Sequence, residues 1–223
     1  MLAITPAQWA ALTPALSYII STIIFEALDA LGILAKYRIL PIESESKANR
    51  VSRSVVLQHV VIYHIVLTAG ALAFAELLPP RLSFLALAIT DTWVFWWHYL
   101  THKNTWLYRN IHAVHHRLYV PFSYGALYNH WADSLFGDNI AGLLGISLTN
   151  MTAAEQTFFL ALATFKIVED HAAYQLPWSP FTILGRFTGC SPTYHNIHHQ
   201  SWGIKVSWAL VSWDILSGAD VQV

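Results

Sequence analysis

The chain has 223 residues, of which 55% are apolar and 11% are charged, whereas roughly a quarter of the residues in ordinary soluble proteins carry a charge. Its formal net charge is −1 and no basic stripe is present, which excludes a nucleic-acid-binding protein. The single cysteine, Cys190, excludes an intrachain disulfide and any Cys-x-x-Cys motif, and the length fits one domain.

Five apolar segments follow one another along the chain, at 14–35, 54–78, 82–100, 134–149 and 153–168. The first three are long enough to cross about 30 Å of hydrocarbon as helices. The last two are about one turn shorter and predict a helical hairpin that turns at 148–152. Too few polar residues remain to cover the outside of a soluble bundle. The composition therefore predicts an all-α, multi-pass membrane helical bundle.

The basic residues predict how this bundle is oriented. Five of them lie in or beside the loop between the first two spans, namely Lys36, Arg38, Lys47, Arg50 and Arg53. Only Arg81 lies between the second and third spans. Since cytoplasmic loops carry the excess of Lys and Arg, we expect the first loop in the cytosol and the Arg81 turn across the membrane. The segments that hold the repeated histidines then face the cytosol.

The 12 histidines are as numerous as Lys and Arg together, and ten of them lie near the expected cytosolic ends of the apolar segments. Eight form three tight clusters, His98 and His102 in "HYLTH", His112, His115 and His116 in "HAVHH", and His195, His198 and His199 in "HNIHH". His130 and His171 stand alone beside the ends of the hairpin. Spacings of three and four put side chains on one helical face, so we expect each cluster to offer its nitrogens to one small volume. Three such clusters could surround two metal ions.

A single histidine within a span is more often a hydrogen-bonded packing residue than a ligand, and we interpret His59 and His64 in this way. Eight clustered imidazoles need another explanation, because buried lone pairs without partners are costly. All-nitrogen sites suit Zn, Fe, Cu or Ni. The zinc-protease motif His-Glu-x-x-His is absent, and a bis-histidine haem would need one histidine from each of two facing helices. The pattern favours a di-iron centre that uses O2 to attack an unactivated C–H bond of a lipid.

This series of one His-x-x-x-His and two His-x-x-His-His boxes resembles the fatty-acid hydroxylase and sterol desaturase superfamily. The stretches "HHRLYVPFSYGALYNH" and "HHQSWGIK" are most similar to the fungal sphinganine C4-hydroxylases within it, and the resemblance extends from about residue 36 to 205. It implies a non-haem di-iron monooxygenase of the endoplasmic reticulum membrane with its boxes facing the cytosol. The electrons would come from NADPH or NADH through cytochrome b5 or its reductase.

The resemblance also implies the ligands of the metal centre. The eight box histidines would act in catalysis through the bound metal, and the contexts "LYNH" and "DHxxY" add His130 and His171 as ligands. The chain departs from the family at Tyr99, where Arg is usual, and at Asn196, where Asp is usual. Zinc is expected in recombinant samples, because it displaces ferrous iron from nitrogen-rich sites.

We therefore expect residues 1–223 to form one membrane domain, with N-terminal membrane helices in 1–81 and the histidine-box catalytic core in 82–205. The expected reaction is C4 hydroxylation of a long-chain sphingoid base, either sphinganine or dihydroceramide. Sterol C4-methyl oxidation or desaturation within the same superfamily is the alternative, and a non-catalytic zinc-binding membrane protein is the alternative of another class. The residues leave the oligomeric state open.

Two further expectations concern the third span. Asp91 lies two helical turns before His98, so it either orients an imidazole or serves as a polar residue within the bundle. The aromatic residues of this span are expected to pack against neighbouring helices and the bilayer interface rather than to contact substrate. They are Trp93, Phe95, Trp96 and Trp97.

Overall fold

The computed structural model describes residues 3–74, 85–149, 151–201, 207–208, 211 and 213–216. Within these ranges the regular structure is helical, apart from one isolated antiparallel bridge between Arg38 and Tyr174. The all-α prediction is confirmed for this part of the chain. The Arg81 turn, which we expect across the membrane from the histidines, lies outside the described residues.

Eleven helices are described, and the five longest of them correspond to the five apolar segments. They are α1 (Pro6–Leu31), α2 (Glu43–Ala48), α3 (Arg53–Phe74), α4 (Leu85–Lys103), α5 (Thr105–Asn110), α6 (Trp131–Asp133), α7 (Ile140–Thr149), α8 (Ala153–His171), α9 (Pro180–Thr188), α10 (Pro192–Gln200) and α11 (Trp213–Leu216). Short 3-10 turns cover Ala35–Tyr37, His112–Arg117 and Ser123–Gly125, and a π turn at Ser134–Asn139 joins α6 to α7. α7 and α8 form the two arms of the predicted hairpin, but they pack mainly on different helices, α7 on α4 and α8 on α1.

Two of the described helices, α1 and α3, are long and apolar enough to cross a membrane. Both keep large apolar side chains exposed, among them Ile23 (61% exposed) on α1 and Ile62 (62% exposed) on α3. Exposed apolar surface of this kind fits contact with lipid. The third predicted span, α4, has 19 residues but does not reach the same apolarity, because it carries buried polar residues such as Asp91 and Thr101. The two apolar helices indicate a membrane protein, while the crossing of α4 stays a prediction.

Capping residues set where the histidine-bearing helices begin. At the start of α8, the hydroxyl of Thr152 accepts a hydrogen bond from the amide of Glu155, whose carboxylate accepts one from the Thr152 amide in return. At the start of α10, the Ser191 hydroxyl accepts from the Tyr194 amide, and Pro192 occupies the first helical position. The third histidine box is helical from its first residue as a result.

A network of buried and half-buried ion pairs holds the first loop against the ends of α1 and α3. Arg38 pairs with both Asp29 and Glu45. Arg53 lies 2.7 Å from a carboxylate oxygen of Glu26 and 2.8 Å from one of Glu45. Two arginines therefore share three carboxylates, which neutralises most of the charge that folding removes from water.

The same loop packs on the segments that carry the histidines. The Arg50 amide donates to the Arg117 carbonyl at 2.8 Å, directly after the second box. The Ile39 amide donates to the carbonyl of Ala173 at 2.8 Å, two residues beyond His171. The basic loop and the histidine boxes therefore lie at one end of the bundle.

A close contact between α4 and α7 also helps to position the site. At Gly145 of α7, a Cβ atom would come within 2.5 Å of the Thr90 hydroxyl of α4, so only glycine permits the close approach. Thr90 in turn donates to the Ala141 carbonyl at 3.1 Å. This packing fixes the helix that carries the first histidine box against the hairpin.

Candidate metal centre

Nine of the ten predicted ligands come together in two groups. The five-histidine group consists of His98, His102, His112, His116 and His198, and the four-histidine group consists of His115, His171, His195 and His199. Within each group, one nitrogen from every ring lies within 4.8 Å of those from all the others. These groups bring together α4, the 3-10 turn at His112–Arg117, the end of α8, and α10.

Each His-x-x-His-His box divides its side chains between the two groups. In the second box, His112 and His116 join the five-histidine group while His115 joins the four-histidine group. The third box does the reverse, since His198 alone enters the five-histidine group. The expectation that each cluster serves one volume is therefore wrong. Neighbouring residues on a helix point about 100° apart, so the adjacent histidines of a box cannot face the same ion.

The distances between the ring nitrogens match those around a metal ion. In the five-histidine group, Nε2 of His116 lies 3.1 Å from Nε2 of His112 and 3.2 Å from Nε2 of His102. In the four-histidine group, the corresponding distances run from 3.1 to 3.3 Å. An ion bonded to each nitrogen at about 2.0–2.1 Å would hold neighbouring nitrogens about 3 Å apart. The donor sets therefore fit transition-metal ions.

Burial keeps these imidazoles in the form that binds metals. Loss of solvent, together with the nearby His112 ring, lowers the pKa of His115 to about 3. Burial and the neighbouring His198 ring likewise lower the pKa of His102 far below its usual value. A neutral imidazole keeps a lone pair available, which is the condition for coordination. His98 illustrates the need for a ligand, because its buried Nε2 has no hydrogen-bond partner among the described residues.

One carboxylate orients a ring of the five-histidine group. Nδ1 of His112 donates to Oδ2 of Asp133 at 2.6 Å, which leaves Nε2 free to face the group. The indole nitrogen of Trp97 donates to the other oxygen of Asp133 at 2.8 Å. Burial by itself would raise the pKa of Asp133, but His112 and Trp97 outweigh it and the pKa lies below its usual value. Such a carboxylate fixes the tautomer and direction of a metal-binding histidine.

Asp91, the residue of the third span that could orient an imidazole, makes a different contact. Its buried carboxylate accepts a hydrogen bond from the Val211 amide at 3.1 Å, which agrees with the bundle alternative. Trp97 packs against neighbouring segments, as expected, since its ring stacks on that of Phe136 and its indole nitrogen donates to Asp133. It also lines the cavity described below.

The four-histidine group takes its support mainly from the backbone. Nδ1 of His171 donates to the Ile167 carbonyl at 2.8 Å, so its Nε2 points at the group. The buried side chain of Asn196 donates to the carbonyls of Asp170 and Pro192 at 3.2 and 3.0 Å, which ties α10 to the end of α8. Where the family resemblance implies an aspartate, Asn196 therefore supplies hydrogen bonds to two backbone carbonyls instead of a carboxylate.

The structure does not bring His130 into either group. Its Nδ1 accepts a hydrogen bond from the Ala132 amide at 3.2 Å, so the ring caps the N-terminus of α6. A capping side chain folds back over the first turn of its own helix, and this turns the ring nitrogen toward the backbone. Ligation by His130 stays a prediction.

The two histidines of α3 also differ from each other. The ring of His59 packs edge-on against the ring of Tyr128, with centroids 4.9 Å apart. The ring of His64 contacts Tyr18, but neither of its buried nitrogens has a hydrogen-bond partner among the described residues. The prediction of a hydrogen-bonded packing residue is therefore wrong for His64, because its side chain opens on a cavity rather than on a polar neighbour.

That cavity has a volume of about 930 Å³ and opens on both histidine groups, through His98 and His112 of one and His115, His171 and His195 of the other. It extends between α1, α3, α7 and α8, where small and apolar residues line it. They include Ala7, Ala10, Pro14, Leu67, Leu143 and Phe159. Ligand sites of this kind are mostly apolar with a few placed polar groups. Sequence reasoning missed the cavity, because its walls come from segments far apart in the chain.

The helical architecture, the two exposed apolar helices and the two histidine groups beside an apolar cavity indicate a membrane protein whose histidines are compatible with metal binding. Sequence comparison narrows this class. The sequence model of the fatty acid hydroxylase family matches residues 83–219, and the chain belongs to this family, as the boxes had indicated. Family membership makes it a hydroxylase-type oxidoreductase.

Several curated relatives cover most of the chain. Sphinganine C4-monooxygenase 2 of Arabidopsis thaliana is 37% identical over 84% of this chain and 79% of its own length. Sphingolipid C4-hydroxylase SUR2 of Saccharomyces cerevisiae is 33% identical over 93% of this chain and 70% of its own length. Very-long-chain aldehyde decarbonylase GL1-9 of Oryza sativa subsp. japonica is 35% identical over 60% of this chain and 52% of its own length. No solved structure matches the chain.

Proposed function

We propose that this chain is an O2-dependent monooxygenase that hydroxylates a long-chain sphingoid base at C4, acting as one domain with two iron ions. The observation that carries the proposal is the apolar cavity of about 930 Å³ that opens on both histidine groups. Relatives named as a sphinganine C4-monooxygenase and a sphingolipid C4-hydroxylase match 84% and 93% of the chain, which supports the choice of substrate.

The residues of the chain have three tasks in this reaction. The nine grouped histidines would hold the ions, and Asp133 with Trp97 keeps His112 in the required tautomer. The apolar walls would take up the alkyl chain and exclude water from the reacting carbon. The cavity would also hold the target carbon near the two groups, because reaction requires an approach of about 3–3.5 Å.

Two bound iron ions would supply the activation of O2. One oxygen atom would enter the C4–H bond and the other would leave as water. Two electrons and two protons balance this reaction. We propose that NADPH or NADH supplies the electrons through cytochrome b5 or its reductase.

The test is lipid profiling of a eukaryotic host that lacks its own C4-hydroxylase. Expression of the chain should restore 4-hydroxylated sphingoid bases, whereas a matched His199→Ala variant at equal abundance should not. Unchanged sphingoid bases together with altered sterol intermediates would replace this proposal with sterol oxidation. Tightly bound zinc, with no oxygen-dependent turnover after iron loading, would favour the non-catalytic alternative.

We also propose that the protein lies in the endoplasmic reticulum membrane with the histidine groups facing the cytosol. The basic first loop supports this orientation, since Arg50 and Ile39 of that loop bond directly to the histidine-bearing segments. In sealed microsomes, with the buried Cys190 replaced by serine, a thiol reagent should label Lys47→Cys but not Arg81→Cys. Labelling of Arg81→Cys without detergent would overturn the orientation.

A further inference from the structure

Three carboxylates line the cavity, and two of them are already fully engaged. Both oxygens of Asp133 accept hydrogen bonds, from His112 and Trp97. Both oxygens of Asp170 lie 2.6 Å from the ammonium nitrogen of Lys166. Asp138 differs, because one hydrogen bond is described for its carboxylate, from the side-chain amide of Asn129 to Oδ2 at 3.1 Å. Asp138 therefore retains acceptor capacity inside an apolar cavity.

The π turn explains why Asp138 faces the same space as Asp133. Residues five apart on a regular α-helix point about 140° away from each other. In the turn at Ser134–Asn139, the amide of Ile140 donates to the carbonyl of Leu135, which is the i to i+5 pattern of a π-helix. The additional residue in this turn brings both aspartates to the cavity wall. Asp138 thus shares the cavity wall with Asp133, whose carboxylate contacts His112 of the five-histidine group.

Other polar side chains surround this part of the cavity. Asn139 follows Asp138 and lines the cavity, and its Oδ1 lies 3.5 Å from the hydroxyl of Tyr63 on α3. The next residue on α3 is His64, whose two buried nitrogens have no partner among the described residues. Buried polar groups are nearly always satisfied in folded proteins, so these nitrogens indicate a polar group of a ligand.

We propose that Asp138 binds the protonated amine of a free long-chain base, so that the substrate is the free sphingoid base and not its N-acylated form. This inference rests on the proposed function and deepens it. An ionised carboxylate in an apolar cavity is costly unless a cation pairs with it, and an ammonium group supplies both the charge and the donors. An amide nitrogen, as in a ceramide, carries no charge. His64 and Tyr63 are then available for the hydroxyl groups of the head.

The covalent structure of a sphingoid base agrees with this position. Three bonds separate the amine nitrogen from C4, so with bonds of about 1.5 Å the two atoms lie within about 4 Å of each other. A carboxylate that holds the amine therefore also sets the depth of C4. Asp138 lies one π turn from Asp133, which is bonded to His112 of the metal centre. The apolar end of the cavity remains for the alkyl tail.

The experiment measures binding of tritiated sphinganine and its displacement by unlabelled sphinganine or N-acetylsphinganine, using the purified full-length chain in nanodiscs. The wild-type chain should bind sphinganine at least tenfold more tightly than N-acetylsphinganine. Asp138→Asn should lower the affinity for sphinganine roughly tenfold or more, because truncating one partner of a buried charge pair removes most of its binding energy. Affinity for N-acetylsphinganine should change little.

Two variants serve as controls. Asp138→Glu keeps the charge and should keep the preference for the amine. Glu43→Gln removes an exposed carboxylate from α2 and should leave both affinities unchanged. Equal binding of the two lipids by the wild-type chain, or equal weakening of both by Asp138→Asn, would overturn the inference.

Binding and turnover separate this inference from the proposed function. A preference for the amine that depends on Asp138 supports the inference even if no 4-hydroxylated product forms, in which case only the proposed reaction fails. If the chain hydroxylates sphinganine but Asp138→Asn keeps the preference for the amine, the proposed function stands and the inference about Asp138 is overturned.

Discussion

The five-histidine and four-histidine groups draw on the same boxes but receive different support. α4 contributes His98 and His102 to the first, whereas α8 contributes His171 alone to the second. The Asp133 carboxylate orients a ring of the first group, whereas the backbone of Ile167 orients His171 in the second. The first group therefore has a spare ligand, and the second has none. Loss of one histidine should matter more in the four-histidine group.

The largest effect is expected from His199→Ala, which leaves three histidines in the four-histidine group. Activity should fall by more than about 100-fold, which exceeds the 10–100-fold effect typical of residues that only support a ligand. Metal analysis of the purified protein should find about one ion per chain instead of two. His59→Ala is the control, since His59 belongs to neither group. Retention of two ions and full activity in His199→Ala would remove this group from the metal centre.

A smaller effect is expected from His102→Ala, because four histidines remain in the five-histidine group. The variant should keep two ions per chain, and its turnover should fall roughly tenfold. A loss of this size is typical when the support of a metal ligand is weakened. Metal content and turnover would be measured beside His199→Ala at matched expression. Equal loss of metal in the two variants would mean that the additional ligand confers no redundancy.

Two variants test how strongly Asp133 supports metal binding. Asp133→Asn removes the charge that holds His112, so the affinity of the five-histidine group for its ion should fall about 10-fold. This value is the lower end of the 10–100-fold range for residues that support a metal ligand. Trp97→Phe removes only one of the two hydrogen bonds to Asp133 and should cause a smaller decrease. Titration of the metal-free protein with ferrous iron measures both. Identical titrations for Asp133→Asn and the wild type would assign Asp133 a packing role.

The smallest effect is expected at His130, which lies outside both groups. His130→Ala removes the cap of α6 and should lower the free energy of unfolding by about 1 kcal/mol, without changing metal content. His130→Asn provides an alternative cap and should restore the melting temperature. Loss of an ion in both variants would instead make His130 a ligand, as the family resemblance implies.

Local sequence predicted the long helices of this bundle but not its short helices or the π turn at Ser134–Asn139. The apolar segments predicted α1, α3 and the hairpin, and Ser191 with Pro192 marks the start of α10. The bounds differ most at α1, which begins at Pro6 rather than near residue 14, because Thr5 and Gln8 form a capping box that the apolar pattern does not register. Nine of the ten predicted ligands are grouped, and the histidines four residues apart in each box lie in the same group, as helical periodicity predicts.

Only the tertiary structure decided which histidines lie in the same group. Periodicity assigns a residue to a face of its own helix, but the volume that this face meets depends on the helices packed around it. Adjacent residues diverge by about 100° on an α-helix and by about 120° on a 3-10 turn, so each His-x-x-His-His box divides its adjacent histidines between the two groups. The same reason applies to Asp133, which contacts Trp97 of α4 and His112, and to His64 and Asp138, which line one cavity from distant parts of the chain. The sequence by itself determined the helices, the histidines and their spacing, and the packing of those helices determined the two metal groups and the cavity between them.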